Sequence, residues 1–238
     1  MQIFYTDNQQ AQELFLSGQE AKHAVQVLRH KEGDTLSCID GKGSAYKAII
    51  TKASKLEVIL EIVETYENWG EKPAFIQVAI SPLRLKDRFE WFIEKSVELG
   101  VNEIIPIICD HTIKFFKYKQ QRLEQIILSA TKQCKRSYIP TLAAAAPIEE
   151  YLASQQEKNS VKLMAHCQAN TPINTLANQI QEAKRIQLMI GPEGDFSENE
   201  IEMARSLAYE EISLGENRLR TETAGVYFLA ACKYIQGY

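Results

Sequence analysis

Apolar residues recur along this chain with two different periods, and the change falls near residue 70. Before it the dominant period is two. Residues 2–6 read as a short strand. Residues 35–40 and 45–51 flank the turn Asp40-Gly41-Lys42-Gly43, a composition that suits a hairpin. Residues 55–63 place Leu56, Val58, Leu60 and Ile62 on one face, with Glu57 and Glu61 among those opposite. One helix, around residues 20–30, interrupts the strands. The pattern predicts a small barrel or sandwich rather than a βαβ unit.

The polar stretch Tyr66-Glu67-Asn68-Trp69-Gly70-Glu71-Lys72-Pro73 reads as a linker. Beyond it, short apolar strands alternate with helical spacing. Strands are predicted at 75–80, 104–108, 161–166, 186–190 and 211–214. Leu85, Phe89, Phe92, Ile93 and Val97 mark one helix, closed by Gly100. Residues 118–136 form a second, with Leu123, Ile126, Ile127 and Ala130 on one side. Ser197-Glu198-Asn199-Glu200 is a capping box opening a third, and 222–235 is the last. Such alternation implies a mainly parallel sheet covered by helices on both faces. Ligands of such sheets bind beyond the carboxyl ends of the strands.

Composition narrows the class. With 238 residues, 45% hydrophobic and 24% charged, the chain can bury a sizeable core. No apolar run is long enough for a membrane helix. The first residues show no basic leader before an apolar stretch, so no signal peptide is expected. The five scattered cysteines suit free thiols in a cytoplasmic protein, and the four histidines show no metal-ligand spacing, so no metal is expected. Net charge is −4, but its distribution is uneven. Residues 84–136 carry 11 Lys/Arg against 7 Asp/Glu, and residues 137–217 carry 5 against 12. A phosphate-facing surface is therefore compatible with an acidic whole, although solvated helix faces would give the same count.

Two strand-to-helix loops are unusual. Ile190-Gly191-Pro192-Glu193-Gly194-Asp195-Phe196-Ser197 is glycine-rich, yet its acids would repel a phosphate. It suits a neutral or cationic ligand, or is an ordinary tight turn. Leu214-Gly215-Glu216-Asn217-Arg218-Leu219-Arg220-Thr221-Glu222-Thr223-Ala224 holds two arginines within three residues, and Thr221 or Thr223 is placed to cap the following helix. Alone, it is also readable as a solvated loop.

Together these loops resemble the signature of the ribosomal RNA small subunit methyltransferase E family, the uracil-N3 branch of the SPOUT (trefoil-knot) methyltransferases. That pattern is Ile-Gly-Pro-Glu-Gly-Gly-Phe-Ser, then Leu-Gly-x-Arg-Ile-Leu-Arg-Thr-Glu-Thr-Ala. Two more stretches are similar to the family in the same order: His23-Ala24-Val25-Gln26-Val27-Leu28-Arg29 and Glu94-Lys95-Ser96-Val97-Glu98-Leu99-Gly100-Val101. Residues 130–140 match more weakly. Asp195 stands where the family usually has a second glycine, Asn217 and Arg218 where Arg and Ile are commoner, and Cys109-Asp110-His111-Thr112 differs from the usual Glu-Arg-Ser type.

The resemblance implies an α/β fold in two parts. Residues 1–70 would form a PUA-like β-barrel that binds RNA. Residues 73–238 would form a SPOUT domain with a deep trefoil knot. It implies S-adenosylmethionine as cofactor, held by His166, Gly191, Pro192, Gly194, Leu214, Gly215, Asn217 and Leu219. The activity implied is methylation of N3 of a uridine in 16S ribosomal RNA, within the small ribosomal subunit, by a homodimer. Arg220 is the candidate to stabilise the uridine anion and Glu222 to orient Arg220 or act as base. Arg29, Arg84, Lys86, Arg88, Lys114, Lys132 and Arg136 are the expected RNA contacts. The alternatives are a SPOUT enzyme acting on another RNA, such as transfer RNA, and a non-catalytic PUA-type RNA-binding factor.

Overall fold

The computed structural model describes residues 2–70, 74–113, 118–155 and 159–237. They fall into two compact units, Met1–Glu71 with Leu128–Ile139 and Lys72–Ile127 with Pro140–Tyr238.

The first unit is built on β1 (Ile3–Tyr5), β2 (Gln9–Gln10), β3 (Glu13–Ser17), β4 (Thr35–Ile39), β5 (Ser44–Ala53) and β6 (Glu57–Glu67). The six strands form one sheet in the order β1-β4-β5-β6-β3-β2. Pairing is antiparallel except between β1 and β4. Thr6 draws the two ends of the sheet together: its N–H donates to Ile39 O on β4 and its hydroxyl to Phe15 O on β3. Alternation sets the core, where Leu14, Leu16, Ile50, Val58 and Leu60 point inward.

The turn at residues 40–43 is as the glycines predict, with the Asp40 carboxylate accepting the N–H groups of Lys42 and Ser44. Leu56 is not on the inward face and is 82% exposed. Ser54 forms a turn onto Glu57, so the strand begins after Leu56 and the alternation does not reach it. The predicted helix is shorter: α1 (Gly18–Lys22) runs into a π turn at His23–Val27. Arg29, at φ 60°, ends it in the left-handed region.

The second unit alternates strand and helix. In chain order it contains β7 (Phe75–Ile80), α2 (Lys86–Glu98), β8 (Glu103–Ile108), α3 (Gln120–Gln133), β9 (Thr141–Leu142), β10 (Ala146–Pro147), α4 (Ile148–Ser154), β11 (Val161–Ala165), α5 (Ala177–Glu182), β12 (Arg185–Ile190), α6 (Glu198–Ser206), β13 (Glu210–Ile212) and α7 (Thr221–Ile235). The strand order is β10-β8-β7-β12-β11-β13, with β9 beside β8, and every pairing is parallel.

The central strands are apolar along nearly their whole length because both faces are covered. Two polar residues inside them, Gln77 and Gln187, are buried, face each other in register and are satisfied by Glu103, Tyr151 and Gln155. Parallel pairing sends the carboxyl ends of β11, β12 and β13 to the same edge. Among the described residues, no helix is long and apolar enough to cross a membrane.

The last residues of α3 and the segment after it group with the first unit, which linear domain boundaries do not anticipate. Lys135 turns the chain at φ 59°. Backbone bonds then join Ser137 to Trp69 and Gly43, and Ile139 to Gly41. This packing leaves two of the expected RNA contacts with little free surface. Arg136 is only 4% exposed, and Lys132 is partly buried in an ion pair with Glu20.

Candidate functional site

A cavity of about 660 Å³ lies at the carboxyl edge of β11, β12 and β13. Its walls are the segments that leave those strands: Ala165 to Cys167, Ile190 to Glu193 with Asp195, and Ser213 to Leu219. Arg220, Thr221 and Ala224 of the last helix segment and Arg88 of α2 complete it. The volume is that of a pocket for a nucleoside-sized molecule.

Two hydrogen bonds tie the two unusual loops together. Thr221 Oγ1 donates to the carbonyl of Gly191 at 3.1 Å, and Arg218 Nη2 donates to the carbonyl of Glu193 at 3.0 Å. Thr221 is thus not a helix cap. The cap position of α7 is Arg220, whose side chain makes no capping bond. The capping box of α6 forms as the sequence predicts, between Ser197 and Glu200.

Asp195 explains how this chain departs from a glycine at that position. Its φ is 66°, a conformation that favours glycine. The carboxylate offsets the strain by accepting the N–H of Cys167 at 2.9 Å and of Phe196 at 3.0 Å. Its carbonyl accepts a hydrogen bond from His111 Nδ1 at 2.9 Å. One residue therefore pins the segment after β11 to the loop after β12. Asp195→Ala is expected to cost about 2 kcal/mol, since it keeps the strain and loses both side-chain bonds. Asp195→Gly should cost less, because glycine adopts that φ freely. Urea melts of the two variants check the order; an equal loss would contradict it.

His166 reaches the cavity through its main chain. The residue is 9% exposed but its side chain only 1%, so what it presents to solvent is main chain. Its Nε2 lies 3.0 Å from Glu211 Oε2, and Glu211 Oε1 in turn accepts from Arg205 at 2.8 Å. Burial raises the Glu211 carboxyl, but Arg205 and His166 together hold it below its ordinary value. The Cys167 thiol is pushed up by burial and by Asp195, the opposite of an activated nucleophile.

Of the expected cofactor residues, His166, Gly191, Pro192, Leu214, Gly215, Asn217 and Leu219 line the cavity. Gly194 does not; a Cβ there would lie 3.0 Å from His111 Cβ. Arg220 is exposed on the lining. Glu222 is 6% exposed, off the lining, and pairs with Arg88 at 3.6 Å rather than with Arg220. Arg29, Arg84 and Lys86 are exposed, and Lys114 lies outside the described residues. Cys167, Asp195, Ser213 and Thr221 were missed as lining residues. The position just past a strand's end was the available signal for Cys167 and Ser213.

The lining fits S-adenosylmethionine on its own chemistry. Ile190, Leu214, Leu219 and Ala224 offer apolar cover, and the loop backbones offer hydrogen-bonding groups. Glu193, Asp195 and Glu216 suit the positive charges of a sulfonium amino acid. Among the described residues, no group of three His, Cys, Asp or Glu is placed to hold a metal ion.

Comparison with known proteins agrees with this geometry. Residues 70–233 match the RNA methyltransferase domain family, and residues 16–63 match the RNA methyltransferase PUA domain. The ribosomal RNA small subunit methyltransferase E of Mesomycoplasma hyopneumoniae is 34% identical, covering 72% of this chain and 75% of that one. The Bacillus subtilis protein of the same name is 27% identical, over 92% of this chain and 89% of its own. Among solved structures, a probable rRNA-methyltransferase from Porphyromonas gingivalis superposes with a TM-score of 0.88 at 32% identity, covering 99% of this chain and 98% of that one. A ribosomal RNA small subunit methyltransferase E from Neisseria gonorrhoeae, bound to S-adenosyl methionine, gives 0.86 at 29% identity with the same coverage. With a parallel sheet whose knitted loops enclose a cavity, and relatives matching along both units, the chain belongs to the ribosomal RNA small subunit methyltransferase E family.

Proposed function

We propose that this protein transfers the methyl group of S-adenosylmethionine to N3 of a uridine in 16S ribosomal RNA of the small subunit. The observation that carries the reading is the cavity itself. Two loops remote in sequence are bonded together around it, and Arg220 stands exposed on its wall. The cofactor supplies an electrophilic methyl carbon, activated by its positive sulfur. The chain supplies geometry and charge. Gly191, Pro192, Leu214, Gly215, Asn217, Leu219 and the main chain of His166 would hold the cofactor. Arg220 would stabilise the anion that the uracil becomes when N3 gives up its proton. Glu222 is buried off the lining, so the reading gives it no part in removing that proton.

Arg29, Arg84, Lys86 and Arg88 are the proposed RNA contacts. Residues 1–70 are proposed as the RNA-binding PUA-like barrel and residues 73–238 as the SPOUT domain, its knot formed where the three cavity loops meet. A cytoplasmic location, where small subunits assemble, follows from that substrate. A homodimer is supported by Trp91, Tyr227 and Tyr234, which leave aromatic surface exposed on α2 and α7. Light scattering is expected to give twice the chain mass of 27.1 kDa; a monomer at micromolar concentration would remove that element.

The test of function is twofold. Calorimetry should show one S-adenosylmethionine per chain. Mass mapping should show one new methyl-uridine in small-subunit RNA lacking the mark, offered free and in assembled subunits. No methylation of either RNA form would sink the reading. Cofactor binding with methylation of transfer RNA alone would redirect it, and no cofactor binding would favour an RNA-binding factor.

A further inference from the structure

The start of α7 makes three different connections within one turn. Arg220 faces the cavity, Thr221 bonds to Gly191, and Glu222 turns to α2. Its partner Arg88 lies on the cavity wall while Glu222 does not. The two charges are 3.6 Å apart, with the carboxylate side chain 8% exposed and the guanidinium 32%. That separation is too long for a hydrogen bond. Among the described residues, no hydrogen bond uses a side-chain donor of Arg88. A half-buried guanidinium is thus neutralised and held in place with its five N–H donors unspent.

The packing fixes this arrangement. One turn further along both helices, Gly225 of α7 lies against the ring of Phe92 of α2 so closely that no Cβ fits. The helices cannot slide apart or rotate without losing that contact. Arg88 is therefore presented on a rigid frame.

We propose that Arg88 binds a backbone phosphate of the acceptor RNA beside the flipped-out uridine, and that Glu222 is a positioning residue that holds Arg88 for this purpose. The inference rests on the methyltransferase reading above and assigns one contact within it. A uridine must leave its stack to expose N3, which bends the backbone and brings its flanking phosphates to the mouth of the pocket. A planar guanidinium held from one side by a carboxylate is suited to grip a phosphate from the other.

The test measures binding of an unmodified 16S RNA transcript to the full chain as salt is varied, alongside calorimetry with S-adenosylhomocysteine. Arg88→Ala should weaken RNA binding about tenfold and flatten the logarithmic salt dependence by about 0.7 to 0.9, the loss of one phosphate contact. Arg88→Lys keeps the charge and should keep the slope. Glu222→Gln should weaken RNA binding about fivefold with the slope unchanged, since Arg88 remains but wanders. The double variant Arg88→Ala/Glu222→Gln should bind RNA no more weakly than Arg88→Ala alone. S-adenosylhomocysteine affinity should stay within about twofold in all of them.

An unchanged salt slope in Arg88→Ala overturns the proposal. So does a tenfold loss of S-adenosylhomocysteine affinity, which would assign Arg88 to the cofactor carboxylate instead. Tighter RNA binding by Glu222→Gln would show that Glu222 only repels RNA. The unmutated protein separates the two levels. If it binds RNA with the expected slopes but transfers no methyl group, the phosphate contact stands and the methyltransferase reading falls.

Discussion

Arg220→Ala should slow methyl transfer by about a hundredfold to a thousandfold while leaving cofactor affinity within about threefold. The asymmetry follows from where the charge is needed. Before reaction, neither the bound uracil nor the sulfonium group requires a cation at that place. As the N3 proton leaves, negative charge spreads over the uracil ring, and a guanidinium beside it stabilises it most at that moment. Arg220 is exposed on the cavity wall, and among the described residues no ion pair holds it elsewhere. Single-turnover rates with saturating RNA, beside calorimetry with S-adenosylmethionine, separate the two quantities. Equal losses in rate and cofactor affinity would remove Arg220 from the reaction and make it a cofactor ligand.

Gly225→Leu should destabilise the chain by about 3 kcal/mol or more, which is large against a total stability of about 5–15 kcal/mol. A glycine inside a helix ordinarily weakens it by about 1 kcal/mol relative to alanine, so its presence in α7 needs a reason. The reason is Phe92. A Cβ at position 225 would lie 2.4 Å from its Cε2 atom and 3.3 Å from Ile190 Cδ1. Both neighbours are buried, and neither has room to retreat. Even Gly225→Ala should lower the melting temperature, against the gain in helix propensity. Thermal and urea unfolding check both variants; an alanine variant that melts higher would show that the two helices separate freely.

What could be read from the chain beforehand was whatever depends on near neighbours in sequence. The capping box at Ser197 and Glu200 and the turn at Asp40 are local chemistry, and both form as the residues dictate. The long apolar strands of the second unit were equally plain. Interactions that bring distant segments together were not. Thr221 looks like a cap when only its own helix is considered, yet its hydroxyl serves a carbonyl thirty positions earlier. Arg136 looks like one of a run of surface cations until Trp69, Gly41 and Gly43 are packed about its neighbours. Short strands such as β2, β9 and β10 carry no periodic signal, because two residues cannot show one.

The cavity was legible as two loops and a family signature, because glycine, proline and paired arginines are rare in combination. Its third wall, the segment after β11, was marked only by His166. The pairing of Glu222 was hidden for the same reason as that of Thr221: its partner, Arg88, is on another helix.

The order of strands in the second unit has a further consequence, for the chain as it leaves the ribosome. Its middle is the pairing of β7 with β12, in which Phe75 lies opposite Arg185. The first of these strands must therefore wait, apolar and half covered, until translation has delivered the second. Nascent chains arrested before residue 185 should be captured by chaperones and protease-sensitive across β7 and β8, and chains extended past β13 should become resistant in a single step.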